Sequence, residues 1–155
     1  MAQIEVRGLG ANEIRIGRRR ITPATEVVFA LAFYLCVRAG ERLTRDEVVE
    51  VFWGAADVTK GRHSLRQMLY KLRQRGFALD EDGEELYLDP SRLTSDVYDA
   101  LQDSWSDDAS VASLEASLEL IPALTKGVSS RFHEWLDSLR ARLGAQHRRA
   151  AIRHL

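Results

Sequence analysis

Between Val27 and Val37 the chain runs through eleven residues, "VVFALAFYLCV", without a charged side chain. A stretch like this has to leave water. It is well short of the roughly 20 apolar residues that span a bilayer, so the rest of the chain must fold around it. From Thr25 to about Arg38 the pattern reads as a helix, with Gly40 as its C-terminal stop. Because that helix is apolar on most sides, it belongs at the centre of a core and not on its rim. A chain of 155 residues, 45% hydrophobic and 29% charged, supplies enough material for one such core plus part of a second domain. The composition is that of a soluble globular protein, and no membrane segment is present. The opening "MAQIEVRGLG" lacks the basic start, apolar middle and small-residue cleavage site of a secretory signal. Cys36 is the one cysteine, which excludes an intrachain disulfide and a cysteine-based zinc site built from this chain alone. The cytoplasm is the expected compartment.

The elements around that helix follow from changes of period. Ahead of it, "IEVRGL", "NEIRI" and "RRRIT" alternate apolar and polar residues and are separated by Gly8, Gly10 and Gly17, as small antiparallel strands with tight turns would be. After it, "TRDE" places Glu47 three residues beyond Thr44, the spacing of a capping box. A second helix then carries Val48, Val49, Val51, Phe52 and Trp53 and ends at Gly54. A loop, "GAADVT", leads to a third helix from about Thr59 to Arg75, closed by Gly76. In "FALDEDGEELYLD" two alternating runs flank Asp82-Gly83, a pair that favours a tight hairpin turn. Strands, three helices and a hairpin, in that order, describe an α+β winged helix-turn-helix over residues 1–94. Pro90 and "SRLTSD" mark its edge. Residues 95–155 read as an all-α segment, with helices from about Asp96 to Ser104, Ala109 to Leu120 and Ser130 onward. Phe132, Trp135, Leu136, Leu139 and Leu143 form one apolar stripe on the last of these. No stop signal precedes Leu155, as expected of a piece of a longer protein.

Charge along the chain is segregated. The formal net charge is -1, yet positions 1–75 hold 14 Lys/Arg against 8 Asp/Glu, positions 76–125 hold 1 against 13, and positions 126–155 hold 7 against 2. The third helix is the extreme case, with Lys60, Arg62, Arg66, Lys71, Arg73 and Arg75 and no acid among them. At 100° per residue Leu65, Met68, Leu69 and Leu72 share the inward arc, while His63, Gln67, Tyr70 and Gln74 lie opposite, flanked by Lys60, Arg66 and Lys71. Solvated helices ordinarily mix charges of both signs. A polar outward face bordered by uncompensated cations is what a helix needs to enter the DNA major groove, where Arg suits guanine, Gln suits adenine, and Lys and Arg hold phosphates. The expected base contacts are His63, Arg66, Gln67 and Tyr70, and the expected phosphate contacts are Lys60, Arg62, Lys71, Arg73 and Arg75. About five neutralised phosphates imply a log-log salt slope of roughly -4 to -5.

The run "RAGERLTRDEVVEVFWGAADVTKGRHSLRQMLYKLRQRGFAL" resembles the DNA-binding domain of the antibiotic-regulatory (SARP) transcriptional activators, whose winged helix is similar to that of OmpR response regulators. "AFYL", "LTRDEVVEVFW" and "SLRQMLYKLR" carry the likeness in the three helices. "FHEWLDSLRARL" resembles the opening helix of the bacterial transcriptional activator domain, a TPR-like array, that follows in that family. The resemblance implies a transcriptional regulator, with the third helix in the major groove of double-stranded DNA and the wing near the minor groove. RNA polymerase and a homodimer on tandem repeats are the further partners it implies. One departure stands out: the hairpin tip carries Asp80, Glu81, Asp82, Glu84 and Glu85, which a phosphate backbone would repel. The alternative is a winged helix that binds protein instead of DNA.

The remaining signals point to structure. Arg18-Arg19-Arg20 reads as a solvated turn before a phosphate contact, and Cys36 as a buried apolar side chain. His133 sits beside the apolar stripe, and His147 and His154 are surrounded by arginines that disfavour a metal. Gly8 and Gly10 lack the third glycine and the following helix of a dinucleotide fingerprint. No nucleophile is paired with a base, and the acids crowd an exposed hairpin instead of a pocket. Neither an enzyme nor a cofactor or metal requirement is expected.

Overall fold

The computed structural model describes residues 3–7, 13–21, 26–54, 57–101 and 130–153. The expected Ala109–Leu120 helix, Gly8, Gly10, His154 and the side chain of His147 lie outside them.

The described residues form an α+β chain with two small sheets and five helices. Strands β1 (Ile4–Arg7), β2 (Glu13–Ile16) and β3 (Arg19–Ile21) pair antiparallel in sequence. The register sets Ile4 opposite Ile16, Val6 opposite Ile14 and Ile14 opposite Ile21. All five of these side chains are therefore on one face, and all are buried. The other face carries charge, with Arg7 on Glu5 and Arg15 on Glu13. Helix α1 (Glu26–Val37) is buried without a break from Val28 to Val37, as a helix apolar on all sides beyond its first residue must be.

Two strands went unread in the sequence. β4 (Arg42–Thr44) is too short to alternate visibly, yet it pairs with β6 (Glu85–Tyr87), which pairs in turn with β5 (Asp80–Asp82). The hairpin turn falls on Gly83-Glu84, one residue later than expected, with Gly83 at φ 60°; a two-residue turn of this kind needs positive φ at its first position. β7 (Leu93–Ser95), which contains the expected boundary at 94/95, pairs parallel with β1 after a 3-10 turn at Pro90–Arg92. Parallel pairing across such a long sequence separation is invisible to local periodicity.

Helix α2 (Arg45–Trp53) starts as the spacing predicts, with Thr44 Oγ1 accepting from the Glu47 N–H at 3.1 Å. Only half of the capping box forms, because the Glu47 carboxylate accepts from the Arg38 guanidinium, which also holds Glu41 and the Tyr34 hydroxyl. Burial alone would disfavour the charge on Arg38. The hydrogen bonds it donates to Glu41, Glu47 and Tyr34 outweigh that penalty and hold it firmly protonated.

Helix α4 (Asp96–Leu101) follows β7 directly, its first turn capped by the buried Ser95 Oγ accepting from the Tyr98 N–H. Helix α5 (Ser130–Arg153) lays its predicted stripe on the rest, with Phe132, Leu136, Leu139 and Leu143 buried in the same core as α1 and α2. The Phe132 ring lies 5.0 Å from Phe52, and Trp135 lies 4.7 Å from Tyr34. Arg131 pairs with Glu50 of α2 at the rim. No helix among the described residues is long and apolar enough to cross a membrane.

Candidate nucleic-acid interface

The basic helix is α3 (Val58–Gln74), and both of its ends are chemically specified. Asp57, read in the sequence as loop, is the N-cap, its carboxylate accepting from the Lys60 N–H at 3.0 Å. At the other end Phe77 N–H donates to Leu72 O and Gly76 N–H to Arg73 O, with Gly76 at φ 88°. That pair of bonds is a Schellman motif, and the left-handed residue it requires explains the glycine. Arg19 of β3 donates to Gln74 O at 3.4 Å, placing a cation at the negative end of the helix. One arginine of the Arg18-Arg19-Arg20 run is thus accounted for by α3 itself.

Gly61, Leu65, Leu69 and Leu72 are the buried face, with Met68 half-buried beside them. Gly61 was not foreseen as a core position. A Cβ there would come within 2.5 Å of Val49 Cγ1, so the glycine is what lets α3 cross close over α2. This crossing fixes which side of α3 turns outward.

On the outward side His63, Arg66, Gln67, Tyr70, Lys71 and Gln74 are all exposed, Tyr70 at 61%. His63 and Gln67, one turn apart, share a 3.2 Å hydrogen bond between Nε2 atoms. Lys60, Arg66, Lys71 and Arg75 have no side-chain ion pair among the described residues. These four, with the His63, Gln67 and Tyr70 polar groups, make the part of the predicted set that carries no ion pair among the described residues.

Arg62 and Arg73 differ. Arg62 pairs with Asp46 of α2 at 2.6 Å and with Glu84 of the hairpin at 3.5 Å. The Asp46 hydrogen bond raises its pKa further. Arg73 pairs with Glu81, and Glu81 also accepts from Arg45 at the start of α2. For these two arginines, the acids missing from the sequence of α3 are supplied by its neighbours in space.

The hairpin acids are likewise not a uniform fringe. Glu81 stands on the same face as Leu86 and Leu43, which are buried. Its side chain is only 18% exposed, between two arginines. Glu85 reaches Arg42 at 3.4 Å, and Asp80 is 3.9 Å from Arg92. Asp82 has no ion pair among the described residues. Between α3 and the hairpin lies an open groove of about 540 Å³, lined by Arg45, Arg62, Arg66, Arg73, Glu81 and Glu84 among others. Its lining mixes both signs, with Arg66 the guanidinium left unpaired.

Elsewhere, Cys36 is fully buried, which pushes its thiol pKa up and away from thiolate chemistry. His133 is half-buried with its ring 6.4 Å from Phe132. No group of three His, Cys, Asp or Glu side chains among the described residues is placed to hold a metal ion. No family model matches the chain, and neither a curated protein nor a solved structure similar to it was found.

Proposed function

We propose that this chain is a sequence-specific DNA-binding transcriptional regulator of the SARP type, a winged helix-turn-helix followed by the start of a TPR-like helical domain. The observation that carries this reading is the outward face of α3. Six outward positions of a 17-residue helix, His63, Arg66, Gln67, Tyr70, Lys71 and Gln74, are exposed and polar, they include hydrogen-bonding groups of the kinds that read base edges, and Lys60 and Arg75 flank them without an ion pair among the described residues. A merely solvated surface would not need Lys60, Arg66, Lys71 and Arg75 left without counter-ions.

In this reading Arg66, Gln67, His63 and Tyr70 meet base edges, while Lys60, Lys71 and Arg75 hold phosphates. Arg62 and Arg73 are occupied by acids, so three phosphates replace the five expected from sequence, and the salt slope falls to roughly -3. Arg66→Ala is expected to cost about 1 to 3 kcal/mol and to relax discrimination at one base pair. Lys71→Ala is expected to weaken cognate and random duplex alike and to flatten the salt slope by about one. Titration of both variants on both DNAs checks this, and equal losses on cognate and random duplex for both variants would sink the division of labour.

The exposed Asp82 and Glu84 at the hairpin tip favour a second reading, a winged helix that docks a basic protein surface. That reading predicts no duplex binding at low salt.

A further inference from the structure

The pairing between hairpin and helix has a consequence beyond folding. It rests on the DNA-binding reading above and concerns how that face is tuned. Glu81 is the only described counter-ion of Arg73, and Glu84 with Asp46 are the counter-ions of Arg62. Both arginines are on the helix whose outward face is open, and both have half-exposed side chains, 50% for Arg73 and 42% for Arg62. They are towards its two ends, so without the acids α3 and its C-cap Arg75 would present six cations instead of four.

We infer that Glu81 and Glu84 are specificity-determining residues, intramolecular stand-ins for phosphate that withhold Arg73 and Arg62 from the DNA backbone. Phosphate contacts add affinity for every sequence and counterion release makes them strong, whereas base contacts discriminate. Neutralising two of six cations internally therefore lowers the affinity for random DNA and leaves Arg66 and its neighbours to decide where the protein stops. The groove between α3 and the hairpin fits this role, since Arg66 is its unpaired guanidinium beside three that are held. The acidic hairpin acts on α3, and a minor-groove contact by it is not required.

The test compares wild type with Glu81→Gln/Glu84→Gln on a random duplex and on a selected one, across a salt series. Because Asp46 still holds Arg62 in this variant, Arg73 is the α3 cation freed, and affinity for the random duplex is predicted to rise about tenfold at low salt with a log-log slope steeper by about one. Preference for the selected site should shrink. Asp82→Asn removes one hairpin charge without freeing an arginine, and it should leave the slope unchanged. Arg73→Ala should change wild-type binding less than about twofold yet reverse most of the gain in the Glu81→Gln/Glu84→Gln background. If that variant does not fold, Asp46→Asn/Glu84→Gln releases Arg62 through two exposed carboxylates and carries the same prediction. Specific wild-type binding with an unchanged slope in the released variants overturns this inference alone. A slope that steepens equally in Asp82→Asn also overturns it, because repulsion and not release would then be the cause. Absence of duplex binding by every protein overturns the DNA reading, and this inference with it.

Discussion

Gly61 shows how much a single hydrogen atom in place of a side chain can decide. In an exposed helix, Gly→Ala gains about 1 kcal/mol from propensity alone. Here the new methyl would press on Val49 at the α2–α3 crossing, and overpacking of this kind costs about 1 to 3 kcal/mol. Gly61→Ala is therefore expected to destabilise the protein, and Val49→Ala to offset much of the loss when the two are combined. Denaturant titrations of both single variants and the double variant measure that coupling, and simple additivity would contradict the contact. Cys36 makes a prediction of the other kind. Fully buried, with its thiol pushed up by desolvation, it should resist alkylation at neutral pH in the folded protein and react at once in denaturant. Rapid native-state labelling would show that α1 opens readily.

At the scale of elements, what could be read in the sequence was whatever depends on near neighbours. The α1 run, the Thr44 cap, the glycine stop of α3 and the α5 stripe all express a local period or a local hydrogen bond, and each has its counterpart in the structure. Strands β4 and β7 were missed because their partners are about 40 and 90 positions away along the chain. The candidate face on α3 was equally legible, since a helical wheel sorts Leu65 and Leu72 from Gln67 and Tyr70 without further information. The charge state of that face was not. That Arg73 is already paired depends on a hairpin acid turned inward at Glu81, and that Arg62 is paired depends on Asp46 of α2 and Glu84 of the hairpin; alternation within "LDEDGEELY" gives no hint that an arginine waits on that side.

Over the whole molecule, the four-stranded sheet, α1, α2 and α5 share one hydrophobic cluster. Aromatic rings join its parts, with Phe52 between Tyr34 and Phe132, and Trp135 against Phe33 and Tyr34. Helix α5 is thereby built into the same core as the helices that orient α3. Phe132→Ala is expected to cost about 3 to 5 kcal/mol, and to do so in a single transition seen alike by helical and aromatic signals. Two separated transitions would mean that α5 is only laid against the rest.

The central claim is that the open face of α3 reads base sequence. The measurement that tests it most directly is selection of this chain against a randomised duplex pool, followed by titration of the enriched sequences at two salt concentrations. Enrichment of a short motif, with affinity falling at a log-log slope near -3 and discrimination lost in Arg66→Ala, is the predicted result. No enrichment and no binding even at low salt would contradict the claim, and would favour the reading in which the domain docks a protein.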